Sequence, residues 1–229
     1  MGYKRCRNPG LALPLIALQY HEVKFNISFK TVADISAGTV SGTPSLDATL
    51  YVDYIYLDTD ERRQFAQVQH EYLIEQLQFT GAETVSGAGA VKSKLALNHP
   101  CKELVWVIQS SSNLANYTNS SAHTISDAKL QLNGQDRFST RAADYFNLVQ
   151  PYQHHTRIPA VGIYVYSFAL NPEQHQPSGT VNMSRIDNAT LQLTATAAGK
   201  LRVYAVNYNV FNFWTQKVNQ EIGLLVECI

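Results

Sequence analysis

The chain has 229 residues, with 18 Lys and Arg set against 18 Asp and Glu, so its formal charge is zero. That balance excludes a strong electrostatic hold on nucleic acid or anionic lipid, which would need a surplus of cations. The length suits one large β domain, or one domain with part of another.

The first element in chain order is Val23–Phe29, where Val23, Phe25, Ile27 and Phe29 alternate with Lys24, Asn26 and Ser28. Period-two alternation predicts a strand with one buried face. Ala37–Ser45 is rich in Gly, Ser, Thr and Pro and reads as a loop. Ala48–Leu57 carries Tyr, Val and Ile, which favour a pleated surface, and predicts a second strand. The period then changes. Phe65, Val68, Tyr72, Leu73 and Leu77 recur at helical spacing, predicting a helix over Asp58–Gln78. Asp58 with Glu61 fits an N-cap and its capping-box partner, and Asp60 and Glu61 suit the positive end of the helix dipole.

Thr80–Ala90 is small and Gly-rich. Strands are predicted at Val91–Leu97, Glu103–Gln109, Ala128–Leu132, Gly162–Leu170, Ala189–Ala195 and Leu201–Phe211. Ser110–Ser126 reads as a long Ser/Asn loop, and Ser139–Phe146 as a short helix. Asn171-Pro172 and Pro177-Ser178-Gly179 supply turn chemistry. Many short strands with long polar loops make an all-β sandwich; pattern alone leaves jelly-roll and immunoglobulin-like windings open.

Three stretches carry more specific information: LALPLIALQYHEV (Leu11–Val23), YVDYIYLDTDERRQFAQVQHEYLIEQ (Tyr51–Gln76) and PYQHHTRIPAVGIYVYSFALNPEQHQPSGTVNMSRIDNA (Pro151–Ala189). The sequence resembles, over these long uninterrupted segments, the major capsid protein of nucleocytoplasmic large DNA viruses, of the iridovirus and phycodnavirus type. Members of that family carry two consecutive jelly rolls. The resemblance therefore implies an all-β jelly-roll β-sandwich, the second barrel of a double jelly-roll capsid protein, with a remnant of the first. Residues 1–57 would be the last strands of the first roll, 58–78 a linker helix, and 79–229 the second roll. It fades at Met1–Cys6 and again after Val210, leaving a divergent tail from about residue 211. Both departures imply a truncated, split or frame-shifted copy.

Candidate chemistry has an ordinary counterpart at each position. Gly87–Ser93 partly matches a phosphate-binding loop, but Val91 separates Lys92 from the glycines, and a strand rather than a helix follows. His154 and His155, with His175, invite a metal. Adjacent residues on a strand face opposite ways, no carboxylate stands at a supporting spacing, and loop histidines bonded to nearby backbone are the simpler reading. Asp53, Asp58, Asp60 and Glu61 form a carboxylate cluster explained by a helix start. Cys101, after Pro100 and beside a strand, reads as a buried small hydrophobe. Tyr204, Tyr208, Phe211, Phe213 and Trp214 offer stacking faces without accompanying Lys or Arg, so they read as core or interface. Gln135-Asp136-Arg137-Phe138 and Arg185-Ile186-Asp187-Asn188 pair opposite charges in polar loops, which the resemblance assigns to loop geometry or subunit contacts.

No run approaches the ~20 apolar residues of a membrane span; Leu11–Leu18 contains Pro14 and lacks a signal-peptide cleavage site. The basic Lys4, Arg5 and Arg7 read as a solvated terminus. Cys6, Cys101 and Cys228, odd in number and widely spaced, suit reduced thiols better than a disulfide framework. Sequons at Asn26, Asn116, Asn119, Asn182 and Asn188 lack the secretory signal that would give them meaning; Asn116 and Asn119, in a polar loop, stay open.

The function implied is structural and not enzymatic, with no catalytic, cofactor-binding or metal residues and no cofactor. The partners implied are copies of the chain or a full-length capsid protein, as homotrimeric pseudo-hexagonal capsomers in contact with one another, and minor capsid proteins. Nucleic acid and membrane insertion are not among them. The implied location is the virion, assembled in the host cytoplasm, with interface roles sought in Gln150–Arg157 and Glu173–Arg185. The rivals are a carbohydrate-binding β-sandwich and a cupin-like metal enzyme.

Overall fold

Alternation becomes a sandwich wherever a strand finds neighbours on both sides. In the computed structural model, residues 9–18, 22–29, 31–32, 40–42, 45–110, 122–213 and 224–227 are described. The chain divides into two compact units: Glu75–Asn209, and residues 1–74 together with 210–229. The strands are β1 (Phe25–Ser28), β2 (His70–Val85), β3 (Gly89–Leu95), β4 (Pro100–Gln109), β5 (Ile125–Leu132), β6 (Gln135–Asp136), β7 (Arg141–Ala142), β8 (Ile163–Ser167), β9 (Val181–Asn182), β10 (Ala189–Ala195), β11 (Gly199–Phe213) and β12 (Leu224–Glu227). The helices are α1 (Thr59–Gln67) and α2 (Gln150–His154).

Two sheets build the Glu75–Asn209 unit. One runs β2-β11-β4-β8, with β9 beside β4; the other runs β3-β10-β5-β6, with β7 beside β5. The pairs β2 with β11, β3 with β10, β4 with β8 and β5 with β6 are nested, as in one long hairpin rolled so that alternate pairs fall in opposite layers. That winding is the jelly roll, and it resolves the choice that strand pattern left open. The hairpin's tip is Asn133-Gly134, both in the left-handed region at φ 51° and 82°. Leu132 faces Gln135 across this two-residue turn, which Asn-Gly favours.

The core lies between the layers. β10 alternates buried and half-buried residues along its whole length, sending Leu191 and Leu193 inward. Opposite them, β4 contributes Leu104, Trp106 and Ile108, and β11 contributes Leu201, Val203 and Ala205. Phe146 closes one end, its ring centroid 5.1 Å from that of Trp106.

The predicted strands from Val91 onward all form, with ends moved by a few residues. The helix prediction needs correction. Asp58 does cap α1, accepting a hydrogen bond from the Glu61 amide at 2.8 Å, but α1 stops at Gln67, and Val68 is already extended. Residues 70–78, expected in the same helix, open β2 instead. The helical spacing of Tyr72, Leu73 and Leu77 loses to tertiary context. β11 lies alongside as a ladder partner, and hydrogen bonds from Asn207 to Gln78 (2.9 Å) and from Asn209 to Gln76 (3.1 Å) tie the strands side chain to side chain. The Gly-rich Thr80–Ala90 is likewise strand as far as Val85. The helix expected over Ser139–Phe146 shifts forward, running from Ala143 through a π-turn at Tyr145–Val149 into α2.

In the other unit, β1 forms within the predicted Val23–Phe29 and pairs in parallel with β12. All four of its residues are exposed, because a two-stranded ribbon has no second layer to bury a face against. Ala48–Leu57, predicted as a strand, has no regular structure. Among the described residues it has no ladder partner, and Tyr51 and Tyr56 are 89% and 92% exposed. Part of the predicted Ala37–Ser45 loop and most of the Ser110–Ser126 loop lie outside the described residues. No helix among the described residues is long and apolar enough to cross a membrane.

Candidate functional site

The densest polar chemistry of the Glu75–Asn209 unit sits where β4 breaks its register. Val206 faces Glu103 and Asn207 faces Cys101, so Lys102 is the extra residue of a β-bulge. Its carbonyl accepts from the amides of Phe168 (2.8 Å) and Ala169 (3.2 Å), which anchors the chain leaving β8. Its side chain is fully buried, yet its ammonium stands 2.6 Å from Glu75 Oε1 and 5.1 Å from the centre of the Tyr208 ring. A buried ammonium is tolerable only with such partners. Burial, then the nearby Glu75 and Glu103 carboxylates, push the Tyr208 phenol up to about 12.

Glu103, next along β4, points away from the core and meets the loop beyond α2. His155 Nε2 lies 3.0 Å from Glu103 Oε2, and His155 Nδ1 lies 3.4 Å from Glu173 Oε1. The Glu103 contact is an ion pair between two buried atoms, neither of which has a hydrogen-bond partner among the described residues. His155 is held above the usual 6.5, first by the Glu103 carboxylate, against burial, and then by Glu173. Burial works to raise Glu173, but hydrogen bonds from Thr156 and His155 keep it below the usual carboxylate value. His175 Nδ1 lies 3.7 Å from Glu75 Oε1.

Around this cluster the loop is pinned by amides and carbonyls. Gln150, buried, accepts from the Ser167 amide at 3.0 Å and donates to the Tyr145 hydroxyl at 3.0 Å. Asn147 donates to the carbonyls of Ala160 and Ile163 at 3.1 and 2.9 Å. Gly179 passes so close that a Cβ there would lie 2.8 Å from the Phe168 carbonyl oxygen, and its φ of 143° strains any side chain. The same region exposes apolar surface at Leu148, Val149, Tyr152, Ile158 and Leu170.

The structure sorts the residues singled out from sequence. His154 bonds backbone as expected, its Nδ1 lying 2.9 Å from the Leu170 carbonyl. For His155 and His175 the expectation fails: carboxylates do support them, supplied by Glu75, Glu103 and Glu173 through folding. Spacing could not reveal this, but Lys102-Glu103 inside the otherwise apolar run of β4 was a usable signal. Among the described residues no group of three or more His, Cys, Asp and Glu is placed to hold a metal. Cys101 is fully buried; desolvation pushes its thiol up to about 12, and it donates to the Glu103 carbonyl, so it is an inert packing group. Gly89 to Ser93 of the phosphate-loop candidate lie in strand β3.

Asp58, Asp60 and Glu61 belong to the start of α1, with Asp60 3.8 Å from Arg63, while Asp53 is exposed. Asp136 pairs with Lys129 at 3.1 Å rather than with its neighbour Arg137. Hydrogen bonds from Gln131, then from Lys129, lower its carboxyl. None of the ion pairs among the described residues joins Arg185 to Asp187. The aromatic strand does have a cation: Arg202 lies 5.7 Å over Phe79, which stacks on Tyr204 at 4.8 Å. Gln109 also accepts from Arg202 at 3.0 Å, so that guanidinium is held within the sheet. Asn182 caps a short 3-10 turn by accepting from the Ser184 amide at 3.0 Å. Lys4, Arg5, Cys6, Arg7, Asn116, Asn119, Trp214 and Cys228 lie outside the described residues.

Comparison with known proteins agrees with this architecture. The model of the large eukaryotic DNA virus major capsid protein family matches residues 61–224, and that of the major capsid protein N-terminus matches residues 4–58. The chain is 56% identical, over 90% of its length, to the major capsid protein of Pyramimonas orientalis virus. It is 45% identical, again over 90% of its length, to that of Phaeocystis pouchetii virus. It spans 56% and 61% of the lengths of those two relatives. A solved chain of the PBCV-1 virus capsid superposes with a TM-score of 0.64 at 41% identity, covering 69% of this chain and 53% of that one.

Proposed function

Because the chain belongs to the major capsid protein family of large eukaryotic DNA viruses, we propose that it is a structural, non-enzymatic component of an icosahedral viral shell in the virion. Its contribution is the second jelly roll of a double-jelly-roll subunit. The observation that carries this reading is the nested strand order of Glu75–Asn209, which makes a closed sandwich whose long connections are free to contact neighbours. Residues 1–57 are then the last strands of the first roll, α1 is the linker, and the second roll begins at β2. The exposed Tyr51, Tyr54 and Tyr56 fit strands whose sheet partners come from elsewhere in the double roll.

Subunits of this design form threefold tiles from modest contacts repeated by symmetry, assembled in the host cytoplasm from copies of the chain, a full-length capsid protein and minor capsid proteins. Gln150–Arg157 and Glu173–Arg185 are the contact segments. Tyr152, 79% exposed, and Leu170, 70% exposed, sit on or beside them while Gln150 and His155 are anchored beneath. The test is the mass in solution of the chain alone and co-expressed with a full-length relative. A threefold assembly that Tyr152→Glu dissociates supports the reading. A monomer under both conditions, with Tyr152→Glu indistinguishable from the parent, refutes it.

A further inference from the structure

We propose that His155 is a pH-operated latch, fastening the two loops that flank β8 to the face of the sheet turned away from the core and releasing them as the solution becomes alkaline. Both ring nitrogens face carboxylate oxygens, Nε2 toward Glu103 at 3.0 Å and Nδ1 toward Glu173 at 3.4 Å. A neutral imidazole carries one N–H and serves one of these acceptors; only the imidazolium serves both. The two carboxylates come from different elements, Glu103 from β4 and Glu173 from the loop between β8 and β9, while His155 opens the loop between α2 and β8, so the charged ring ties both loops to the sheet.

The surroundings do not compensate for its discharge. Lys102, the nearest cation on β4, stands against Glu75, which also faces His175 at 3.7 Å. Tyr208 on β11 remains an uncharged phenol, and Thr156 donates its hydroxyl to Glu173 at 3.2 Å. When His155 loses its proton, the buried Glu103 Oε2 loses the cation that faced it. The folded value lies above the ordinary 6.5, so the latch contributes in full below that pH. Its contribution disappears as pH rises through the folded value.

Hydrogen exchange on the intact chain, from about pH 5.5 to about pH 9 and corrected for intrinsic rates, reads this directly. Protection of peptides from the two loops, residues 155–162 and 170–180, falls with rising pH, by up to about tenfold per pH unit over the interval between the unfolded and folded pKa values. Peptides from β5 and β10 hold theirs. His155→Gln is flat at the open level. Glu173→Gln replaces one of the two carboxylates with a neutral amide and moves the transition to lower pH, which a merely structural role would not do. His123→Gln, facing Asp144 at another site, leaves the profile in place. A flat parent profile, or His155→Gln with the parent's transition, overturns the latch. Should His155→Gln fail to fold, the Glu173→Gln shift decides alone. The latch belongs to the isolated chain and stands whether or not the chain tiles.

Discussion

Two stretches of this chain read alike as strand, and only one of them is strand. Ala189–Ala195 and Ala48–Leu57 are both rich in residues that favour a pleated backbone. β10 pairs on one side with β3 and on the other with β5, and every second residue is buried. Ala48–Leu57 has no ladder among the described residues and leaves Leu50, Tyr51, Val52, Tyr54, Ile55 and Tyr56 exposed. β-propensity describes fit to a half-buried pleated surface, and it creates no structure until neighbouring strands supply that surface.

Truncating the sandwich core tests the contrast most severely. Trp106→Ala removes the largest fully buried side chain among the described residues, one that packs on Phe146 and Tyr164. It is expected to cost about 3–5 kcal/mol in denaturant unfolding. Among the described residues the indole N–H has no acceptor, so the loss is one of volume, and Trp106→Phe should cost much less. A Trp106→Ala variant as stable as the parent would mean that stability does not reside between the two layers.

Next comes the charge that the sandwich tolerates. Lys102→Met leaves Glu75 without its 2.6 Å partner and should cost about 3–5 kcal/mol. Adding Glu75→Gln removes the carboxylate that lost Lys102 and should recover a large part of that loss. If the double variant is worse than the single, the Lys102–Glu75 pair is not what makes the buried ammonium acceptable.

These two positions also mark how far the sequence could be read. Trp106 lies in an apolar strand whose existence, and nearly whose ends, alternation and composition announced. The role of Lys102 depends on a register shift, and its partner lies 27 residues away in a strand that mimicked helical spacing. The winding was equally hidden, since strand pattern fixes which residues point inward but not which strands become neighbours. The family resemblance supplied the jelly roll, and the nested pairing of β2 to β11 supplies its physical content. His155 shows the same limit from the site's side: its two carboxylate neighbours, Glu103 and Glu173, are local in space and remote in sequence.

A smaller effect comes from close approach of backbones. A Cβ on Gly199 would lie 2.5 Å from the Gln109 carbonyl oxygen and 2.8 Å from Ile108, where β11 begins beside the end of β4. Gly199→Ala is therefore expected to cost about 1–3 kcal/mol, measured as a shift in denaturant midpoint at constant slope. Gly87→Ala, with open space around it, should shift the midpoint far less. Equal shifts would show that backbone freedom, and not crowding, selects glycine at residue 199.

The smallest effect should come from the stretch that only resembles a strand. Tyr51→Ser and Tyr56→Ser remove rings that are almost wholly exposed, so stability of the chain alone should change by no more than about 0.5 kcal/mol. What should change is association. Large exposed rings on a stretch with no ladder partner among the described residues invite contact with other chains, and their removal should lower light scattering on concentration. If both substitutions destabilise the chain as core truncations do, Ala48–Leu57 is packed in solution, and the contrast with β10 collapses. If stability holds and scattering falls, the two stretches differ in partners alone, as their similar composition requires.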